Sequence, residues 1–232
     1  VAVGANALDA NTTGSDNTAI GDNALGAAQT SSANTAVGSG ALLVNTAASN
    51  TAIGAYALDA NTTGSSSVAV GKDALGANTT GAENTAVGEG AMEDNTTGGT
   101  NVALGREALA DNTTASGNTA LGYDAMRVNT TGADNVAVGA YALDANTTAS
   151  YNIAIGNDAL GANTTGGHNI AIGNNALGVN TTGNYNIAIG RLALDANTDD
   201  GNVGVGYNSL GANTSGANNT GIGREALAAN TT

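Results

Sequence analysis

The chain contains no cysteine, no proline, no phenylalanine and no tryptophan in its 232 residues. Without cysteine there is no disulfide framework, no thiolate metal site and no cysteine nucleophile. Without proline or a strict Gly-X-Y period, collagen is excluded. No run of 18 apolar residues occurs, so no segment reads as a membrane-spanning helix. Six tyrosines are the only aromatics, and much of the 41% hydrophobic content is alanine, which buries little area per residue. One compact globular core is therefore not expected. Basic residues are also scarce: Lys and Arg number 5 against 19 Asp and Glu, for a net charge of −14. Such a chain repels phosphate, which argues against nucleic acid and anionic lipid as partners. Spread thinly, the same charge keeps an elongated object soluble.

What is present is a repeat. Ala-(Val/Ile/Leu)-Gly, or Gly in place of its Ala, ends at Gly4, Gly21 and Gly38 and recurs to Gly223, making 14 copies. Eleven of the 13 spacings equal 17 and two equal 16. Numbered from the Asn that opens most copies, the unit is N-(T/V/I)-A-(V/I/L)-G-x-x-A-L-x-A-N-T-T-G-x-x. Position 8 is Ala except for Ser209, position 9 is Leu except for Met92 and Met126, and position 12 is Asn except for Ala28. Positions 6, 7, 10, 16 and 17 vary. A period that runs the length of the chain indicates a solenoid, in which each unit buries its apolar face only against its neighbours.

Positions 1 to 5 alternate with the period of a strand. The spacing predicts positions 2 and 4, for example Ile153 and Ile155, inside the coil, and a second extended segment over positions 8 to 11. Asn-Thr-Thr-Gly carries turn chemistry, and both one-residue deletions, at 45–50 and 197–202, fall there. A helix is disfavoured because no amphipathic stretch reaches ten residues between Gly and Asn-Thr-Thr interruptions. The expectation is an all-β fold, a β-solenoid or parallel β-roll of stacked 17-residue coils forming a single repeat domain over 1–232, rod-like in shape. A core of one Leu, one or two branched residues and three Ala per coil is thin for a solitary solenoid. The recurrent Ala at positions 3 and 8 and Gly at 5 are predicted to mark close approach between parallel chains, hence a homo-oligomer, foremost a homotrimer.

Asn-Thr-Ala-Ile-Gly-x-x-Ala-Leu, as in residues 17–25, and its Asn-Ile-Ala-Ile-Gly variant at 186–194, resemble the head repeats of trimeric autotransporter adhesins. Similar units occur in tail-fibre-like proteins of phages and in bacterial surface proteins. The resemblance covers all 14 copies. It implies a left-handed parallel β-roll in a homotrimer, an extracellular location on a cell surface or virion fibre, and attachment to a surface glycan, a protein receptor or matrix. The unit here is longer than the usual adhesin-head unit by its Asn-Thr-Thr-Gly segment. The chain starts at position 2 of a unit with Val1 and stops at position 14 with Thr232, as expected of an internal segment of a longer fibre.

Catalytic chemistry has little support, and no catalytic, cofactor-binding or metal-ligating residue is assigned. His168, the only histidine, occupies variable position 17 without a recurring acid nearby and reads as a surface residue. The acids Asp16, Glu83, Glu107 and Asp158 are scattered, which disfavours a glycan-cleaving carboxylate pair. Ca²⁺ is the one cofactor considered: Asp9, Asp59, Asp144 and Asp195 share position 10 but never in adjacent coils, Asp199-Asp200 is a local pair, and neither an EF-hand nor a calcium β-roll nonapeptide is present. Asn-Thr-Thr at Asn11, Asn61, Asn78 and seven further copies is a formal glycosylation sequon, better explained as a hydrogen-bond ladder. Gly204-Val205-Gly206 belongs to the repeat and opens no helix, so it is not a dinucleotide fingerprint. Ice binding by a Thr-bearing face is the main alternative function, disfavoured because Thr12-Thr13 are adjacent and positions 2 and 4 read as internal. Lys72, Arg106, Arg191 and Arg224 at position 6, Tyr56 and Tyr141 at position 7, and Tyr151 and Tyr185 at position 17 are candidate surface contacts. The reading is a non-enzymatic, structural and adhesive fibre segment.

Overall fold

A computed structural model describes all of residues 1–232. The protein is an all-β parallel solenoid without a helix. It divides into two compact units, Val1–Gly117 and Asn118–Thr232. The first carries β1 (Ala2–Val3), β2 (Thr18–Ile20), β3 (Thr35–Val37), β4 (Thr51–Ile53), β5 (Val68–Val70), β6 (Thr85–Val87) and β7 (Val102–Leu104). The second carries β8 (Thr119–Leu121), β9 (Val136–Val138), β10 (Ile153–Ile155), β11 (Ile170–Ile172), β12 (Ile187–Ile189), β13 (Val203–Val205) and β14 (Thr220–Ile222). In each unit successive strands pair in parallel and in repeat register: Ala69 faces Ala86, and Ala154 faces Ala171.

Only positions 2 to 4 are strand. The expected second extended segment is instead a pair of tight turns, closed by Ala74 N–H to Gly71 O at 3.4 Å and Asn78 N–H to Leu75 O at 3.1 Å. The reason lies at position 9. Ala74 and Leu75 are consecutive yet both fully buried, whereas consecutive strand residues must point to opposite faces. A left-handed backbone at Leu75 (φ 54°) turns both inward, and Leu25 (φ 52°), Leu109 (φ 55°), Leu160 (φ 52°) and Leu194 (φ 52°) repeat it. Their burial offsets a strain of about 1–2 kcal/mol each. Positions 7 and 17 are left-handed as well, as at Asp73 (φ 57°) and Glu83 (φ 61°).

The sidedness of the strand is opposite to the sequence expectation. The position-3 alanines from Ala19 to Ala188 are fully buried, whereas positions 2 and 4 point outward: Ile20 is 40% exposed and Leu104 44%. Alternation distinguishes two faces without saying which is inner. The lumen already holds the position-9 Leu and two Asn per coil, so only a methyl fits opposite them. The close approaches assigned to partner chains also occur within one chain. A Cβ on Gly71 would lie 2.3 Å from the carbonyl oxygen of Gly88 in the next coil, and the φ of +137° there excludes other residues.

Two asparagine ladders take the place of a larger apolar core. The position-12 amides hand hydrogen bonds from coil to coil: Asn78 Nδ2 donates to Asn61 Oδ1 at 2.9 Å, and Asn95 Nδ2 to Asn78 Oδ1 at 2.7 Å. At position 1, Asn152 Oδ1 accepts from Asn169 N–H at 2.9 Å while Asn152 Nδ2 donates to Gly166 O at 2.9 Å. Position-13 threonines add a third ladder, Thr62 Oγ1 donating to Thr79 O at 2.8 Å. Each of these amides is both donor and acceptor, which is what lets polar groups sit in the lumen. The ladder is interrupted where the repeat is. Ala28 supplies no amide, and Asn11 Oδ1 opposite it lacks a donor. At the deletion in 197–202, Asn197 Nδ2 turns to Asp199 O at 2.8 Å and leaves Asn180 Oδ1 bare.

Three substitutions test these points by chemical denaturation of the whole chain. Gly71→Ala combines backbone strain with overlap on a carbonyl and is expected to destabilise by at least about 3 kcal/mol. Gly26→Ala, whose Cβ would have its nearest neighbour at 3.4 Å without positive φ, should change stability by less than about 1 kcal/mol. Ala28→Asn gives the bare Asn11 Oδ1 a donor and should stabilise by about 1 kcal/mol.

Candidate functional site

The strand face that the fold turns outward runs in register through successive coils of each unit. In the second unit Ile153, Ile170 and Ile187 form one row and Ile155, Ile172 and Ile189 another, on three adjacent strands. In the first unit Thr18, Thr35 and Thr51 stand beside Ile20, Val37 and Ile53. Members of these rows are shielded chiefly by their in-register neighbours. Ile155 and Ile189 are 38% exposed, whereas Ile222 on β14, flanked on one side only, is 71% exposed. Contiguous apolar rows of this kind are uncommon on isolated soluble chains and mark contact surfaces.

The variable positions form separate rails. At positions 6 and 7 Lys72 pairs with Asp73, Arg106 with Glu107 and Arg224 with Glu225, all exposed ion pairs of small energetic value. Arg191 is followed by Leu192 and lies over the ring of Tyr207 at 5.9 Å, with Arg224 at 5.7 Å. Tyr123 and Tyr141 meet edge to face at 5.4 Å. At position 17 the three rings Tyr151, His168 and Tyr185 stack, with centroids 5.0 Å apart at each step and planes 16° and 11° from parallel. His168 is exposed, as the sequence suggests, but it is the middle of an aromatic stack that position-by-position reading missed. Its signal was in the sequence: residues one period apart at a rail position occupy adjacent coils.

The acids are arranged differently from the sequence expectation. The position-10 carboxylates stay apart from one another, yet two of them meet an acid at position 7 of the following coil. Asp59 thus adjoins Asp73, and Asp144 adjoins Asp158 across Gly161, whose added Cβ would lie 2.2 Å from Asp158 Oδ1 and 3.5 Å from Asp144 Oδ1. Burial, with the neighbouring Asp73 charge as a smaller contribution, pushes the Asp59 carboxyl up. Burial and then Asp158 do the same for Asp144 and Asp195. Glu93 is raised by burial and then by Asp73 and Asp94. Asp59, Asp73, Glu93 and Asp94 border an open hollow of 320 Å³ with Tyr56, Gly76 and Ala77. No group of three or more His, Asp or Glu side chains is spaced to hold a metal ion. Asp199-Asp200 sits in the shortened loop, where Asp200 Oδ1 accepts from Asn184 N–H at 2.6 Å. Glu83 and Asp16 stand at position-17 corners on the exposed surface.

The sequon asparagines from Asn61 to Asn180 are completely buried, so the folded chain offers no amide there for glycosylation. No protein-family model matches the chain, and no curated protein matches it significantly.

The raised carboxyls set a pH dependence. Their folded-state affinity for protons exceeds that of the unfolded chain, so their stabilising effect is complete at low pH and is lost as pH rises through the raised values. Thermal melting is therefore expected at higher temperature near pH 4 than at pH 7, with the change concentrated just above about pH 4. Combined Asp59→Asn and Asp144→Asn substitution should flatten that profile.

Proposed function

We propose that this chain is a structural and adhesive segment of an extracellular fibre, and that copies associate as a homotrimer through the outward face of their strands. The observation that carries this reading is the apolar row at position 4, joined from Val136 to Val203 by a second apolar row at position 2. Such a surface, regular at one strand per coil, is complementary to further copies of itself, and its burial supplies the apolar area that the alanine-lined lumen does not. The small lumen and amide ladders give a stiff spacer, and repeated coils present the same rail positions many times, so weak contacts to a surface glycan or protein add by avidity. The resemblance of the Asn-Thr-Ala-Ile-Gly-x-x-Ala-Leu unit to adhesin heads and tail-fibre-like proteins supports the extracellular setting.

Light scattering should give three times the single-chain mass of 22.1 kDa. Combined Ile170→Lys and Ile187→Lys, placed on outward positions, should reduce the mass to that of one chain while the circular dichroism of the strands persists. A wild-type monomer would overturn the reading.

A second reading competes for the same face. Thr18, Thr35, Thr51 and Thr85 point outward two residues from branched apolar side chains, which removes one objection to ice binding. That function requires an unassociated chain producing thermal hysteresis; a trimer without hysteresis rejects it.

A further inference from the structure

The Tyr151–His168–Tyr185 stack stops because the next position-17 residue is Gly201, in the coil shortened at 197–202. Each stacked residue holds the same left-handed backbone, φ 62°, 60° and 57°, and each donates its N–H to a carbonyl of the preceding coil at 3.2 Å. Gly201 continues that corner at φ 71° with its N–H on Asn184 O at 2.9 Å, but it contributes no ring. The outer face of Tyr185 is left without a partner, and Tyr185 is the most exposed tyrosine of the chain, at 64%. The gap has a defined floor and polar sides. Asn218 N–H donates to Asp200 O at 3.1 Å, closing the backbone beneath it. Asp200 Oδ1 is anchored by Asn184 N–H, and Asn218 Oδ1 leans to 2.6 Å from where a Gly201 Cβ would stand.

We propose that this gap is a binding notch for a guanidinium group of a basic partner protein, which would occupy the place of a fourth ring against Tyr185. The chemistry converges on that group. It is flat, so it fits a slot one ring thick. It stacks on a tyrosine face through the ring quadrupole. Its donors match the amide oxygen of Asn218, and its charge matches the Asp200 carboxylate, whose Oδ1 already accepts from both nitrogens of Asn184 at 2.6 and 3.3 Å. The chain itself displays the arrangement on another rail, where Arg191 and Arg224 lie at 5.9 and 5.7 Å on Tyr207. No basic side chain of this chain stands at the notch, because all five Lys and Arg occupy positions 6 and 10. The net charge of −14 draws a basic partner toward the surface. This inference concerns a position-17 corner and is independent of oligomerisation through the strand face.

The test is a titration of the full chain with N-acetyl-arginine amide, followed by the ring resonances of Tyr185 and His168 and the amide of Gly201. Saturable shifts confined to those residues are expected, with a dissociation constant in the millimolar range, about 1 to 10 mM, for an isolated group. Tyr185→Ala should weaken binding about tenfold, and Asp200→Asn about threefold. Gly201→His, which fills the slot with a residue already tolerated at the His168 corner, should abolish it while β10 to β12 keep their resonances. Shifts spread evenly over all six tyrosines, or binding unchanged by Gly201→His, overturn the proposal. So does a neutral methyl glucoside that perturbs Tyr185 at lower concentration than the arginine derivative, since that result assigns the notch to a sugar.

Discussion

Successive coils within each unit lie one parallel-strand spacing apart, about 4.8 Å, and almost every recurrent residue answers to that distance. At position 5 the backbone of one coil meets the carbonyl of the next with no room for a Cβ, as at Gly71 and Gly88. At position 12 the same spacing is right for one side-chain amide to donate directly to the next, and at position 1 for a backbone N–H to donate to the side-chain oxygen of the preceding coil, so asparagine can line a lumen without stranding polar atoms. At position 3 the narrow interior leaves space for a methyl. Stability therefore comes from many short, repeated hydrogen bonds and close contacts between coils, and where an amide is missing, at Ala28, an acceptor is left bare.

In-register stacking also converts composition into surface. A side chain that recurs at one repeat position becomes a row, and a row of branched residues facing outward becomes an apolar face that a lone chain leaves in water. The variable positions follow the same rule with different chemistry. Where position 17 is aromatic in three coils running, the rings stack; where position 6 is basic beside an acid, the charges pair. Specific features of the molecule arise where two adjacent coils differ, as at Gly201 beside Tyr185.

The solenoid, its period and the turn location of both deletions were legible in the sequence, because a strict repeat admits few structures other than stacked identical units. The buried role of the Asn-Thr-Thr asparagines was legible too, since a ladder explains ten identical turns better than ten glycans. The inner face was not. Ile153-Ala154-Ile155 alternates, and bulk suggested that the isoleucines were core, but the Leu of position 9 had already filled the interior. The second extended segment was misread for a related reason: the left-handed backbone at Leu75 puts neighbours on the same side, and apolar pattern alone does not reveal the sign of φ. The acid neighbours Asp59–Asp73 and Asp144–Asp158 were hidden by searching along one repeat position rather than between position 10 of one coil and position 7 of the next.

The scarcity of large residues and the strict repeat together determined that this chain folds by stacking, because small side chains in a fixed period can gain burial only from neighbouring copies. Which face of each strand looks outward, and which variable side chains become neighbours, was decided by the tertiary structure. Those outcomes depend on how a coil closes on itself, through left-handed corners and a lumen whose size is set jointly by residues far apart in the unit.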